Sequence, residues 1–213
     1  MHHTTTRVIA IRHGETAWNV DTRIQGQLDI PLNDTGRWQA RRMAQALAHE
    51  PLQAIYASDL GRAHQTASAL AEVAGLPVHA DIGLRERGFG IFQGLTFKEI
   101  EQRWPHESER WRKRDPEFGP EGGETLSAFY ARSITTAERL AAAHPGETIA
   151  LVAHGGVMDC LYRAASRIDL RAPRTWQLGN ASINRLLYTG SGFTLIGWSD
   201  TQHLDAAALD EQT

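Results

Sequence analysis

Residues 8–19 read VIAIRHGETAWN. Val8 to Ile11 form an apolar run without a polar break, the pattern of a strand covered on both faces of its sheet. The run then stops on Arg12, His13 and Gly14, two basic side chains and a residue that lets the backbone turn sharply. TIALVAHGG at 148–156 repeats the arrangement: an apolar run, His154, then Gly155 and Gly156. In open α/β sheets ligands bind beyond the carboxyl ends of the strands, so function is expected at these two ends.

Working outward, apolar or β-branched runs predict strands at 7–11, 54–57, 148–153, 183–188 and 193–198, with a weaker one at 77–80. Helical spacing lies between most of them. Trp38, Met43, Ala46 and Leu47 follow Asn33, whose side chain suits an N-cap. The next helix is expected to start at a Ser58 cap and stop at Gly75. A third is expected over about 125–143 and a fourth just after Gly155. The last two strands, joined by TGSG, read as an antiparallel hairpin or edge addition. Alternating strands and helices imply a three-layer α/β/α fold with a mostly parallel central sheet and an antiparallel edge strand. A single domain over 1–213 is expected. Residues 92–124, with Trp104, Trp111 and three prolines, form an excursion expected to cover one end of the sheet like a lid, the tryptophans acting as packing anchors.

Composition limits the partners. The chain has 213 residues, 41% hydrophobic and 22% charged, with a formal net charge of −3. That balance argues against a nucleic-acid or anionic-membrane surface, so any polyanion must meet a local positive site. The single cysteine, Cys160, lies in an apolar stretch and reads as a small buried hydrophobe. No apolar run approaches the roughly 20 residues of a membrane span, and MHHTTTR lacks a signal-peptide core. A soluble cytoplasmic protein is the expectation, with His2 and His3 outside the fold argument. An apolar edge strand is able to pair across a homodimer.

The polar residues at the strand ends are Arg12, His13, Ser58, Arg62 of the following helix, and His154. Two histidines and two arginines without nearby acids suit an anion. A metal is the rival explanation for paired histidines, but Zn²⁺ wants three or four neutral or anionic ligands and the arginines would repel it; no metal is expected.

RHGETAWN resembles the signature of the histidine phosphatase superfamily, which includes the cofactor-dependent phosphoglycerate mutases. The resemblance spans nearly the whole chain: RIQGQLDIPLNDTGRWQA resembles the loop and helix after the nucleophile, SDLGRAHQTA the second arginine segment, LRERGFGIFQG the acid segment and VAHGG the second histidine. It implies that His13 is the nucleophile, that Arg12, Arg62 and His154 hold the phosphoryl oxygens, that Asn19 adds a neutral donor, and that Glu86 is the proton donor. Gln25, Gly26 and Gly155 are further substrate-binding candidates. His13 must attack as the free base, which neighbouring cations favour, and its other ring nitrogen is expected to donate to a backbone carbonyl. For Glu86 a desolvated, protonated carboxyl is expected; the competing reading is a salt bridge to Arg85 or Arg87. Glu15 is expected to orient the turn or to pair with an arginine.

The family carries out two reactions with one phosphohistidine: hydrolysis of a small phosphorylated substrate, and mutase chemistry primed by 2,3-bisphosphoglycerate. Phe89 stands where the glycolytic mutases usually have a tyrosine, the chain is short, and acids interleave with Arg110, Arg112, Lys113 and Arg114. These departures favour a phosphatase without a cofactor. The mutase remains the alternative, as does a non-catalytic phospho-ligand-binding module; presence of both His13 and Glu86 weighs against the latter.

Overall fold

The computed structural model describes residues 5–205, so His2 and His3 lie outside it. Six strands form one sheet: β1 (Thr6–Arg12), β2 (Leu52–Ala57), β3 (Val78–Ala80), β4 (Thr148–Ala153), β5 (Ile183–Thr189) and β6 (Gly192–Asp200). Their order is β3-β2-β4-β1-β5-β6. β1 and β4 run parallel at the centre, in the register Val8 to Ile149 and Arg12 to Ala153. β2 and β3 extend the parallel side, while β5 runs antiparallel to both β1 and β6. The strand that opposes the rest is therefore β5, one position inside the edge, and the edge strand β6 runs with β1. Because β5 joins β1 antiparallel and the TGSG turn then reverses the chain, β6 returns at the edge in the direction of β1.

Helices cover both faces. α2 (Asp34–Ala46) and α3 (Gly61–Ala74) supply Met43, Ala44, Ala67 and Leu70 to pack on Ile9, Ile11 and Val152. On the other face α6 (Leu126–Ala142) and α7 (Gly155–Ser166) supply Phe129, Leu140, Val157 and Leu161 to pack on Val8, Ala10 and Leu151. Successive β1 side chains thus serve opposite layers, which explains its unbroken apolar run. Ile149 is fully buried in this core; its truncation to alanine would cost about 2–5 kcal/mol. Cys160 is also buried there, and burial pushes its thiol pKa up.

Caps set the helix starts. The Asn33 side chain accepts from Gly36 N and that of Thr125 from Ala128 N, while Gly75 ends α3 in the left-handed region at φ 66°. Ser58 does not cap α3: the N-cap is Leu60, without a side-chain bond, and the Ser58 hydroxyl is taken up by His154. A short helix α1 (Ala17–Val20) follows the first strand end, started by Thr16 and closed reciprocally by Asn19.

Residues 92–124 contain α4 (Phe97–Arg103) and α5 (Pro105–Arg112). Phe92, Ile100 and Phe118 form a separate apolar cluster with Trp104 and Trp111 packed against it, so the tryptophans are indeed anchors. The excursion is tied to the loop after α1 by Arg23–Glu99 at 3.2 Å and by Gly94 N to Ile24 O at 2.8 Å, and to α7 by Arg114–Asp159 at 2.8 Å. Among the described residues, no helix is long and apolar enough to cross a membrane.

Candidate active site

The parallel strands β1 and β4 end side by side, bringing their histidines together with ring centroids 5.2 Å apart. His13 is 3% exposed and His154 fully buried. His13 Nδ1 donates to the Gly14 carbonyl at 2.7 Å, which leaves Nε2 with its lone pair free. Burial lowers the His13 pKa well below the usual histidine range, and Arg62 and Arg12 push the same way against the Gly14 bond. His154 is likewise kept neutral, first by burial and then by Arg62 and His13.

Gly14 is required by packing. A Cβ there would lie 2.4 Å from Gly36 O, because the loop rests directly on the first turn of α2. Gly14 N donates to Thr66 of α3, and Glu15 Oε1 accepts from Asn33 Nδ2 at 2.8 Å. Glu15 therefore orients the turn through the α2 cap and, among the described residues, pairs with no arginine.

Arg12 and Arg62 are held by backbone carbonyls. Arg62 Nη2 donates to Gly26 O at 2.7 Å and Nη1 to Leu28 O at 2.8 Å, while Arg12 Nη1 donates to Leu178 O. The Nε atoms of both are buried without a partner among the described residues. Burial, countered in part by Glu86, lowers Arg12 to about 10 and also lowers Arg62. Both stay charged near neutrality. Gly26 serves the site through its carbonyl, and Gly155 lies beside Arg12, with a Cβ there 3.4 Å from Arg12 Nε. Gln25 is buried, its Oε1 without a partner among the described residues. Asn19 uses its Oδ1 on Thr16 and Asn180, leaving its amide N–H groups as donors.

Glu86 faces the α7 N-terminus. Its Oε2 accepts from Gly156 N at 3.0 Å and its Oε1 from Arg87 N at 2.8 Å. The salt-bridge reading fails for both neighbours: Arg85 forks onto Asp59 at 2.7 and 2.5 Å, and Arg87 turns inward to Glu124 O and Phe118 O. Both carboxyl oxygens of Glu86 are thus held by backbone N–H groups. Among the described residues, no three His, Cys, Asp or Glu side chains converge as a metal site.

A family model described as histidine phosphatase superfamily (branch 1) matches residues 8–201. The chain belongs to this superfamily. It is 39% identical over 202 residues to phosphoglycerate mutase-like protein 4 of Arabidopsis thaliana, covering 93% of this chain and 86% of that one. It resembles the structure of mycobacterial glucosyl-3-phosphoglycerate phosphatase in complex with VO3, with TM-score 0.82 and 35% identity over 92% of this chain and 99% of that one. It also resembles phosphoserine phosphatase of Entamoeba histolytica in complex with 3-phosphoglyceric acid, with TM-score 0.84 and 29% identity over 94% of this chain and 100% of that one. These neighbours are phosphatases or mutase-like, and this chain is an enzyme of the histidine phosphatase type.

Two parts of the histidine phosphatase site carry no local sequence signal. Asn180 Nδ2 donates to His13 O at 3.0 Å and to Asn19 Oδ1 at 3.3 Å, joining the strand end to α1 from the α7–β5 connection. Arg132 on α6 pairs with Glu124 at 2.8 Å and donates to the carbonyls of Gly83, Arg85 and Glu86, fixing the acid segment. Neither has a motif of its own; each is found only when distant segments meet.

Proposed function

We propose that this histidine phosphatase hydrolyses a small phosphomonoester through a phosphohistidine at His13, with neither metal nor organic cofactor. The phosphoryl oxygens bind to Arg12, Arg62, His154 and the Asn19 amide, with Gln25 at the edge of the same site. His13 Nε2 attacks phosphorus and forms the P–N bond as the ester P–O bond breaks. Glu86 gives a proton to the departing oxygen. Water then loses a proton to Glu86 and attacks phosphorus, the P–N bond breaks, and His13 leaves as the neutral base. Charge spreads over three oxygens in the loose transition state, so preformed cations and donors supply most of the catalysis.

One observation supports hydrolysis over mutase chemistry: the four cations clustered at 110–114 are all engaged by acids. Arg110 pairs with Asp115 at 2.7 Å, Arg112 with Glu101 at 3.3 Å, Lys113 with Glu109 at 2.7 Å, and Arg114 with Asp159 at 2.8 Å. This run therefore leaves none of its four charges free to build the second anion site that holds a phosphoglycerate while it reorients. Phe89 packs on Trp111 with centroids 5.3 Å apart and has no hydroxyl for a substrate carboxylate. The mutase-like name of the Arabidopsis relative keeps a bisphosphoglycerate-primed mutase as the second reading. A panel of phosphomonoesters, including 3-phosphoglycerate with 2,3-bisphosphoglycerate, decides between them. Hydrolysis with little interconversion of 3- and 2-phosphoglycerate is expected; isomerisation much faster than phosphate release would make the mutase reading correct.

A further inference from the structure

His154 is neutral, so one ring nitrogen donates and the other accepts. Which one faces the phosphoryl group as a donor depends on a proton that side chains around it must place. Its Nε2 lies 2.8 Å from the hydroxyl of Ser58, a fully buried residue at the end of β2. Ser58 Oγ already accepts from Leu60 N at 3.3 Å. The backbone of Ser58 is itself pinned, its N–H donating to Val152 O at 3.0 Å, two residues before His154. The other ring nitrogen, Nδ1, is buried without a partner among the described residues.

We propose that Ser58 is a positioning residue that sets the tautomer of His154, donating its hydroxyl proton to Nε2 so that Nδ1–H is the donor offered to the phosphoryl group. In the opposite tautomer Nε2–H would give Ser58 Oγ a second donor, the hydroxyl proton would lose its acceptor, and a bare Nδ1 lone pair would be the atom left for an anion. The Leu60 N–H therefore biases the hydroxyl, and the hydroxyl biases the ring. This also explains why a serine at the end of β2 stands free of the α3 cap. The kinetic part of the inference rests on His154 acting as a phosphoryl donor, as above.

The test uses the full chain with ¹⁵N-labelled imidazoles and the variants Ser58→Ala, Ser58→Thr and His154→Ala. In the substrate-free enzyme, the His154 ¹⁵N spectrum is expected to show protonated Nδ1 and unprotonated Nε2, and Ser58→Ala should shift the ring toward Nε2–H or a mixture. Ser58→Ala should lower kcat about 10-fold with little change in KM, Ser58→Thr should restore the tautomer signal, and Ser58→Ala added to His154→Ala should cause no further loss. A proton on Nε2 in the wild type, a tautomer unchanged in Ser58→Ala, or rate losses that multiply in the double variant would each overturn the proposal. Full hydrolysis by His154→Ala would instead overturn the phosphoryl-donor role of His154; the resting-state spectrum distinguishes the two failures because it needs no turnover.

Discussion

Replacing Gly156 by alanine puts a methyl group where Glu86 now sits. A Cβ at this position would lie 2.1 Å from Glu86 Oε1 and 3.0 Å from two carbons of the Phe129 ring. Carbon and oxygen meet at roughly 3.3 Å, so the carboxylate must withdraw by about 1 Å. Phe129 closes the other side, and the bonds from Gly156 N and Arg87 N cannot both survive the move. The fold should tolerate the change: overpacking costs about 1–3 kcal/mol, offset by the roughly 1 kcal/mol by which alanine exceeds glycine in a helix. Activity should not. A misplacement of about 1 Å costs on the order of 10²-fold, within the 10²–10⁴-fold that a general acid contributes. The discriminating measurement is kcat/KM for an alkyl phosphate against p-nitrophenyl phosphate, because kcat/KM reports formation of phosphohistidine and the nitrophenolate departs without a proton. We expect a loss of about 100-fold for the alkyl ester and under about 10-fold for the aryl ester. Equal losses for the two esters, or none for the alkyl ester, would show that Glu86 is not the proton donor to the leaving group.

Other outcomes follow from the same geometry. Quenching the enzyme with labelled substrate should trap acid-labile phosphate on His13, and His13→Ala should retain no label. Both site histidines have folded-state pKa values depressed by burial and by arginines. The unfolded chain therefore binds more protons, and stability should be full above about pH 6.5 and fall below it by up to about 1.4 kcal/mol per pH unit for each ring, measured by denaturant titration at several pH values. Arg62→Lys should lower kcat/KM about 100-fold and loosen residues 26–28, since one ammonium cannot bond both the Gly26 and Leu28 carbonyls as the guanidinium fork does; amide exchange of that loop reads the second effect. Vanadate should inhibit more tightly than phosphate or sulfate because its trigonal-bipyramidal form resembles the transition state, and activity should survive a chelator; loss on chelation with rescue by Zn²⁺ or Mg²⁺ would revive a metal mechanism.

The local content of the sequence determined the layers and the strand ends. An apolar run such as Val8 to Ile11 has only one stable use, burial between two helix layers, and Asn33, Thr125 and Gly75 mark helix ends through backbone geometry that each residue carries with it. The two histidines and Arg12 were visible because each ends or directly follows a strand, and the resemblance named Arg62 and Glu86. What the sequence did not contain is the partner of each polar group, because hydrogen bonds form between segments far apart along the chain. Ser58 is locally an N-cap type and Glu86 locally a salt-bridge neighbour of Arg85 and Arg87; the fold gives Ser58 to His154, Glu86 to Gly156, and Arg85 to Asp59. Likewise the position of β5 inside the edge and the roles of Asn180 and Arg132 arise only when the sheet closes and α6 packs on it. Apolar patterning is a property of one segment and survives in one dimension, whereas polar pairing is decided by which desolvated donors and acceptors the packed layers bring within about 3 Å of one another.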